Sequence, residues 1–171
     1  NLVLSAATRA AIGGGSGNSI GTNSSYSTIA GGTDTGIGND APWTFVGGGE
    51  QNRIEAYAHH AAIVGGWSNI NSSAFASIGG GGWNAVGSDA TFSTIAGGKG
   101  HTIDREAPNS TISGGKRNGI QFLCDSATIS GGTDNSIGAA ADFATVGGGE
   151  HNWLGATACY AVIAGGSENA I

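Results

Sequence analysis

Residues 142–155 read DFATVGGGEHNWLG, and the rest of the chain repeats this pattern. We take the branched apolar residue before the glycine pair, here Val146, as the anchor of the repeat. The anchor recurs as Ile12, Ile29, Val46, Ile63, Ile78, Ile95, Ile112, Ile129, Val146 and Ile163. Eight of the nine intervals are seventeen residues, and the interval from Ile63 to Ile78 is two residues shorter. A period of this length, held over the whole chain, predicts a solenoid.

Two glycine positions follow every anchor. The second and third residues after it are glycine in all ten repeats, from Gly14-Gly15 to Gly165-Gly166. Such regularity indicates a backbone geometry that a Cβ atom would disturb, either a positive φ or a close approach to the neighbouring turn. The glycine pair therefore predicts a tight corner.

Polar and apolar ladders follow the corner. Six residues after the anchor lies the asparagine position, occupied by Asn18, Asn52, Asn69, Asn84, Asn118, Asn135, Asn152 and Asn169. Asparagine tolerates left-handed backbone and forms ladders when stacked. Two residues further on lies a second apolar column, which only Asn71 interrupts, beside the short interval. Two residues before the anchor every side chain is small, so this position and the anchor share a thin interior.

The opposite face carries aromatic residues. Three residues before the anchor lies the aromatic position, with Tyr26, Trp43, Phe75, Phe92, Phe143 and Tyr160. Threonine dominates one residue before the anchor. Both columns suit the outer face of stacked strands, where each ring stacks on the ring of the next turn. Because monomers rarely expose a long apolar stripe, the aromatic position predicts an assembly face.

The repeat predicts an all-β fold, a parallel β-solenoid of about ten 17-residue turns that forms a single domain over residues 1–171. Each turn should contain a strand of about five residues, the glycine corner, a short strand at the asparagine position and a polar return. A glycine pair in every turn and the absence of a 3.6-residue period exclude helix.

Composition narrows the function. The net charge of −6, with charges scattered along the chain, argues against binding of nucleic acid, which needs a concentrated basic surface. No apolar run approaches the roughly 20 residues of a membrane span. Cys124 and Cys159 lie two turns apart, about 10 Å, beyond the roughly 7 Å Cα limit of a disulfide. We therefore expect no intrachain bridge, which leaves free thiols or an interchain bond.

A search for catalytic and ligand motifs gives no candidate. Gly98-Lys99 and Gly115-Lys116 lack the remaining residues of a phosphate-binding loop. Calcium-binding glycine repeats need an aspartate in each turn, and only Asp34 and Asp134 follow a Gly-Gly-Thr. His59 and His60 should point to opposite faces of a strand, which would keep them from sharing a metal. We expect a non-catalytic protein without metal or cofactor.

The repeats resemble those of a known family. Residues 144–152, ATVGGGEHN, and residues 27–32, STIAGG, are similar to the head repeats of trimeric autotransporter adhesins, and similar repeats occur in phage tail fibres. The resemblance covers nearly the whole chain and implies a left-handed parallel β-roll assembled as a homotrimer. Two features depart from the family: the seventeen-residue period is longer than its usual repeat, and these residues include neither a coiled-coil stalk nor a membrane anchor.

The terminal repeats suggest how such a rod is extended. Asn1-Leu2-Val3 fits the end of a preceding turn, and Asn169-Ala170-Ile171 closes the last one, so we expect a solenoid that is uncapped at both ends. The rod would then be part of a longer fibre or would stack end to end with its copies.

Four functions fit a rod of this kind. We expect a structural, adhesive fibre at the cell surface or outside the cell, with copies of itself and a host surface receptor or glycan as partners. The alternatives are a phage or injection-device tail fibre on a virion, a self-stacking extracellular filament, and an ice-binding solenoid. The threonine column favours the last, but Phe45, Ala62 and Val162 interrupt it.

Overall fold

The computed structural model describes residues 1–171 and contains twenty two-residue strands and no helix. The odd-numbered strands form one parallel sheet, in chain order: β1 (Leu2–Val3), β3 (Ser19–Ile20), β5 (Gly36–Ile37), β7 (Arg53–Ile54), β9 (Ile70–Asn71), β11 (Ala85–Val86), β13 (Thr102–Ile103), β15 (Gly119–Ile120), β17 (Ser136–Ile137) and β19 (Trp153–Leu154). The even-numbered strands form the other: β2 (Ala11–Ile12), β4 (Thr28–Ile29), β6 (Phe45–Val46), β8 (Ala62–Ile63), β10 (Ser77–Ile78), β12 (Thr94–Ile95), β14 (Thr111–Ile112), β16 (Thr128–Ile129), β18 (Thr145–Val146) and β20 (Val162–Ile163). This confirms the predicted parallel β-solenoid of about ten turns.

Each strand pairs with the equivalent strand of the next turn. Thr94 lies opposite Thr111 and Ile95 opposite Ile112, so every position of the repeat stacks on itself. A third ladder of single bridges follows the glycine corner and includes Glu50, Trp67 and Gly82. The strands are shorter than the five residues that we predicted. The aromatic position just before each even-numbered strand adopts a positive φ, which ends the extended conformation there.

The interior is built from columns of identical environment. All anchor residues except the half-buried Ile12 are buried, and so are the apolar residues of the second column from Ile20 to Leu154. A third apolar column, five residues before the anchor, was missing from the sequence interpretation. It consists of small side chains, among them Ala41, Ala58 and Cys124. Since small residues occupy two of the columns, the interior is only as wide as one isoleucine and its neighbours.

The asparagine ladder supplies the polar part of the interior. Asn135 is fully buried, and its Nδ2 donates to the carbonyl of Gly131 at 3.0 Å and to that of Gly149 in the next turn at 2.9 Å. Its Oδ1 accepts from the backbone N–H of Asn152 at 3.0 Å. The side chain therefore satisfies the Gly131 carbonyl and the Asn152 N–H, which no strand pairing reaches.

The two glycine positions have different reasons for being glycine. Gly49 has a φ of 91°, and a Cβ atom there would lie 2.0 Å from the carbonyl oxygen of Gly66. Gly31, the first glycine of its pair, has open space where a Cβ atom would lie. Close stacking of the backbone therefore dictates the second glycine of the pair in the structure, whereas the first is not sterically required at every turn.

The short interval leaves the sheets in register. Ile63 still pairs with Ile78, and Asn71 still pairs with its neighbours in the second apolar column. The return of that turn, between β9 and β10, is two residues shorter than the others. Asn71 fills the shortened return, because its Nδ2 donates to the carbonyl of Ala76 at 2.9 Å and its Oδ1 accepts from Ser73 N–H at 3.2 Å. The side chain of Asn71, although it lies in an apolar column, thus forms hydrogen bonds with the backbone of the shortened return.

None of the elements is a helix with the length and apolarity to cross a membrane.

Candidate functional site

The predicted assembly residues form an exposed edge of the solenoid. Tyr26, Trp43, Phe75, Phe92, Phe143 and Tyr160 are 42–73% exposed. We call the uninterrupted run of rings at this position, Tyr26, Trp43, His60, Phe75 and Phe92, the aromatic stripe. Asn109 and Ser126 separate it from the second, shorter pair of Phe143 and Tyr160.

The backbone explains why these large side chains point outward. Every residue at the aromatic position, from Arg9 to Tyr160, has a φ between 56° and 61°. Such a conformation is uncommon for bulky residues and costs of order 1–3 kcal/mol for each residue. Hydrogen bonds between neighbouring turns hold this conformation in place. The N–H of Tyr26, for example, donates to the carbonyl of Thr8 at 3.0 Å. The position is therefore a fixed corner and not part of a strand.

The rings of the aromatic stripe stack face to face along the solenoid. Centroids of successive rings are 5.6, 5.0, 4.7 and 4.9 Å apart from Tyr26 to Phe92, with interplanar angles of 8–16°. Arg9 extends the column, since its guanidinium lies 5.1 Å from the Tyr26 ring centroid. Because the ring faces are turned toward one another, the stripe presents mainly ring edges to the surroundings. A ridge of this kind suits packing against protein better than stacking on sugar rings, which requires free ring faces.

His59 and His60 depart from the sequence prediction. They do not point to opposite faces of a strand, since they lie in the corner where His60 has a φ of 60°. Their Nδ1 atoms are 3.1 Å apart, and the two rings are nearly perpendicular at 85°. Our argument that adjacent histidines cannot share a ligand was therefore wrong, because it assumed strand geometry at a corner.

A notch lies beside this histidine pair. The shortened return leaves an open space of about 470 Å³, lined by Tyr57, His59, Ser72, Phe75, Ser88 and Asp89 among others. The carbonyl of Ser88 accepts the amide of Glu106 in the following turn, whereas no equivalent carbonyl is present for the amide of Asp89. The missing residues therefore create the notch without disturbing the sheets.

A second aromatic cluster lies at the glycine corner, and the sequence interpretation missed it. Trp67 and Trp83 have ring centroids 4.0 Å apart, and Lys99 Nζ lies 4.5 Å from the Trp83 ring centroid. Trp67 Nε1 donates to Gln51 Oε1 at 3.3 Å. The sequence hides the pair because the two residues do not occupy the same position of the repeat. Trp67 lies four residues after its anchor, whereas Trp83 lies five residues after its own.

A polar groove of about 530 Å³ runs over the outer face of the odd-numbered strands. Gly36 leaves its floor open, and Ser19, Asp34 and Asn39 line it. Arg53 and Glu55 close one side through an ion pair of 2.9 Å between Nε and Oε1. Mixed charges of this kind do not select one class of ligand.

Charge elsewhere is paired locally. Arg117 forms a two-pronged ion pair with Asp134 of the next turn. The hydrogen bond from Arg117 holds the pKa of the Asp134 carboxyl below its usual value. His151 lies 3.7 Å from the same carboxylate. No group of three or more His, Cys, Asp or Glu side chains is arranged to hold a metal ion.

Two buried groups have shifted pKa values. His101 takes the place of asparagine in the ladder, and burial lowers its pKa. Its Nδ1 accepts from Asn118 N–H at 3.1 Å, but Nε2 has no hydrogen-bond partner. Burial also raises the pKa of the Cys124 thiol, whose Sγ donates to the carbonyl of Gly138 at 3.0 Å. Cys124 and the exposed Cys159 are both free thiols.

The threonine column is uninterrupted only in the second half of the solenoid. Thr94, Thr111, Thr128 and Thr145 pair directly in successive turns. The exposed side chains of Phe45 and Val162 lie in the same column on either side of them. Ser77 precedes them in the same column, with its Oγ 3.2 Å from Thr94 Oγ1, so the hydroxyl surface covers five turns.

Neither the comparison with protein-family models nor that with curated proteins finds a match for this chain.

Proposed function

We propose that the chain is a rigid structural element of an adhesive fibre at the cell surface or outside the cell, and that it assembles laterally with copies of itself. The single observation that supports the proposal most is the aromatic stripe. It exposes an apolar ridge over five successive turns, about 19 Å at about 4.8 Å for each turn.

A second copy is the partner that best fits this ridge. Free monomers rarely carry contiguous apolar surface, and aromatic residues are enriched in the cores of interfaces. The strained corner that holds each ring also fixes its direction, so little side-chain entropy is lost on association. Three rods packed along their stripes would form a trimer like the one that the sequence resemblance implies.

Two related functions differ in how the rod is used. A tail fibre would use the same lateral assembly on a virion, and a filament would grow by end-to-end pairing of turns. The aromatic stripe favours lateral assembly, because an axial contact would leave the ridge exposed.

Sedimentation velocity over a hundredfold range of concentration tests the proposal. We expect one species with three times the 16.6 kDa mass of the chain. Phe92→Ser should weaken the assembly, and the fold should tolerate it because Ser126 occupies the same corner position with a φ of 58°.

The matched control is Phe45→Ser, which removes an equally large exposed ring outside the stripe. Its effect on the mass should be small. A wild-type chain that stays monomeric, or an assembly that Phe45→Ser weakens as much as Phe92→Ser does, would contradict lateral assembly through the stripe. A mass that grows steadily with concentration would instead indicate a filament.

A further inference from the structure

The corner at His59 and His60 places two metal-ligating atoms in one location. Their Nδ1 atoms are 3.1 Å apart. With typical metal–imidazole bonds of about 2.0–2.1 Å, an ion bound to both would subtend an angle of about 98°. That angle lies between the octahedral and tetrahedral values, so the spacing of the two Nδ1 atoms suits a chelate.

Packing holds both rings in place. His60 is stacked between Trp43 at 5.0 Å and Phe75 at 4.7 Å, within the aromatic stripe. His59 lies edge-on against the same Phe75 ring, with centroids 5.1 Å apart and an interplanar angle of 89°. Because the rings are already ordered, binding loses little side-chain entropy.

The notch beside the pair supplies room for further ligands. His59 lines this space, together with the carboxylate of Asp89 and the hydroxyls of Ser72 and Ser88. No third side chain completes a protein-only cluster. Water in the notch would therefore fill the remaining coordination positions, as it does in open metal sites.

From these observations we propose that His59 and His60 form a binding site for a divalent transition metal that prefers imidazole, such as Zn²⁺ or Cu²⁺. Imidazole nitrogens bind this class of metal in preference to Mg²⁺ or Ca²⁺, which take oxygen ligands. His60 also belongs to the aromatic stripe, so the site borders the proposed assembly face, whereas His59 lies outside the stripe.

The metal-free corner makes a distinct prediction about tautomers. The 3.1 Å contact is a hydrogen bond in which one histidine carries its proton on Nδ1 and donates to the other. A metal bound by both Nδ1 atoms requires both rings to carry the proton on Nε2. Metal binding therefore moves one proton between the two nitrogens of a single ring, with no net release.

The experiment is titration of the whole chain with Zn²⁺ by calorimetry, in a Cys159→Ser background that removes the exposed thiol. Nitrogen-15 spectra of the histidine rings report the tautomers in parallel. We expect one equivalent of Zn²⁺ to bind and both rings to become Nε2–H. Mg²⁺ at the same concentration should leave the spectra unchanged.

Two variants remove one ligand each without disturbing the corner. His60→Phe keeps a stacked ring, as Phe75 and Phe92 do at this position, and His59→Ala introduces the residue found as Ala74 in the next turn. Each should weaken Zn²⁺ binding by about tenfold or more, because a chelate becomes a single ligand. His151→Gln, which removes an exposed histidine elsewhere, should not change the affinity.

The sedimentation mass of His59→Ala, which leaves every ring of the aromatic stripe in place, should equal that of the parent chain, and this separates the metal site from self-assembly. The proposal is overturned if the parent chain binds no Zn²⁺, if its rings keep an Nδ1 proton when Zn²⁺ is bound, or if either histidine variant retains the parent affinity.

Discussion

Replacing Asn135 by alanine tests the asparagine ladder most directly. The side chain is fully buried and makes three bonds to backbone groups of its own and the adjacent turn. The carbonyl of Gly149 keeps a second donor, Thr133 N–H at 2.9 Å, but the carbonyl of Gly131 and the N–H of Asn152 have no other partner. The substitution therefore leaves the buried N–H of Asn152 and the carbonyl of the half-buried Gly131 unpaired.

The magnitude follows from those two groups. An unpaired buried donor or acceptor costs about 1–3 kcal/mol and a half-buried one costs less, so Asn135→Ala should lower the free energy of unfolding by about 1–4 kcal/mol. Urea unfolding followed by far-ultraviolet circular dichroism measures the change, with the slope of the transition checked for each variant.

Two variants at the same position of other turns serve as controls. Asn169→Ala removes the same side chain where it is exposed, and should cost about 0.5 kcal/mol or less. Thr35→Asn adds the missing ladder side chain opposite Asn52, whose N–H has no hydrogen-bond partner, and should stabilise the fold by about 1 kcal/mol. If Asn135→Ala costs no more than Asn169→Ala, the ladder does not stabilise the interior as argued.

Two further predictions concern the other departures from the repeat. Burial lowers the pKa of His101 from 6.5, so the unfolded chain binds more protons as the pH falls below 6.5 and the folded state loses stability there. His101→Asn should remove this loss and add about 1 kcal/mol at neutral pH, and unfolding curves at pH 5 and 8 that shift equally for both proteins would contradict it. At the short interval, the amide of Asp89 should exchange about tenfold faster than that of Glu106, which donates to Ser88 O at 2.9 Å, whereas uniform protection across residues 60–90 would show that the shortened return is as stable as its neighbours.

Much of the fold follows from the sequence because a solenoid places each position of the repeat in one environment. The seventeen-residue period fixes which residues stack, and the buried columns of anchor, asparagine and second apolar residues are visible as constant side-chain types. The outward direction of Tyr26 and Phe92 also follows from the column, since rings alternate with small inward residues. Constant composition along a column thus carries the information that a single segment lacks.

The tertiary structure decided what happens at the corners. The residues at the aromatic position have a positive φ, yet Tyr, Trp, Phe and His give no local signal for that conformation. Contacts between turns impose it, which shortens the strands to two residues and turns His59 and His60 to one side. The notch arises in the same way, because the sequence shows that two residues are missing but only the stacked neighbours determine where the space opens. The sequence by itself determined the period and the interior, and packing between turns determined the surface on which the proposed sites lie.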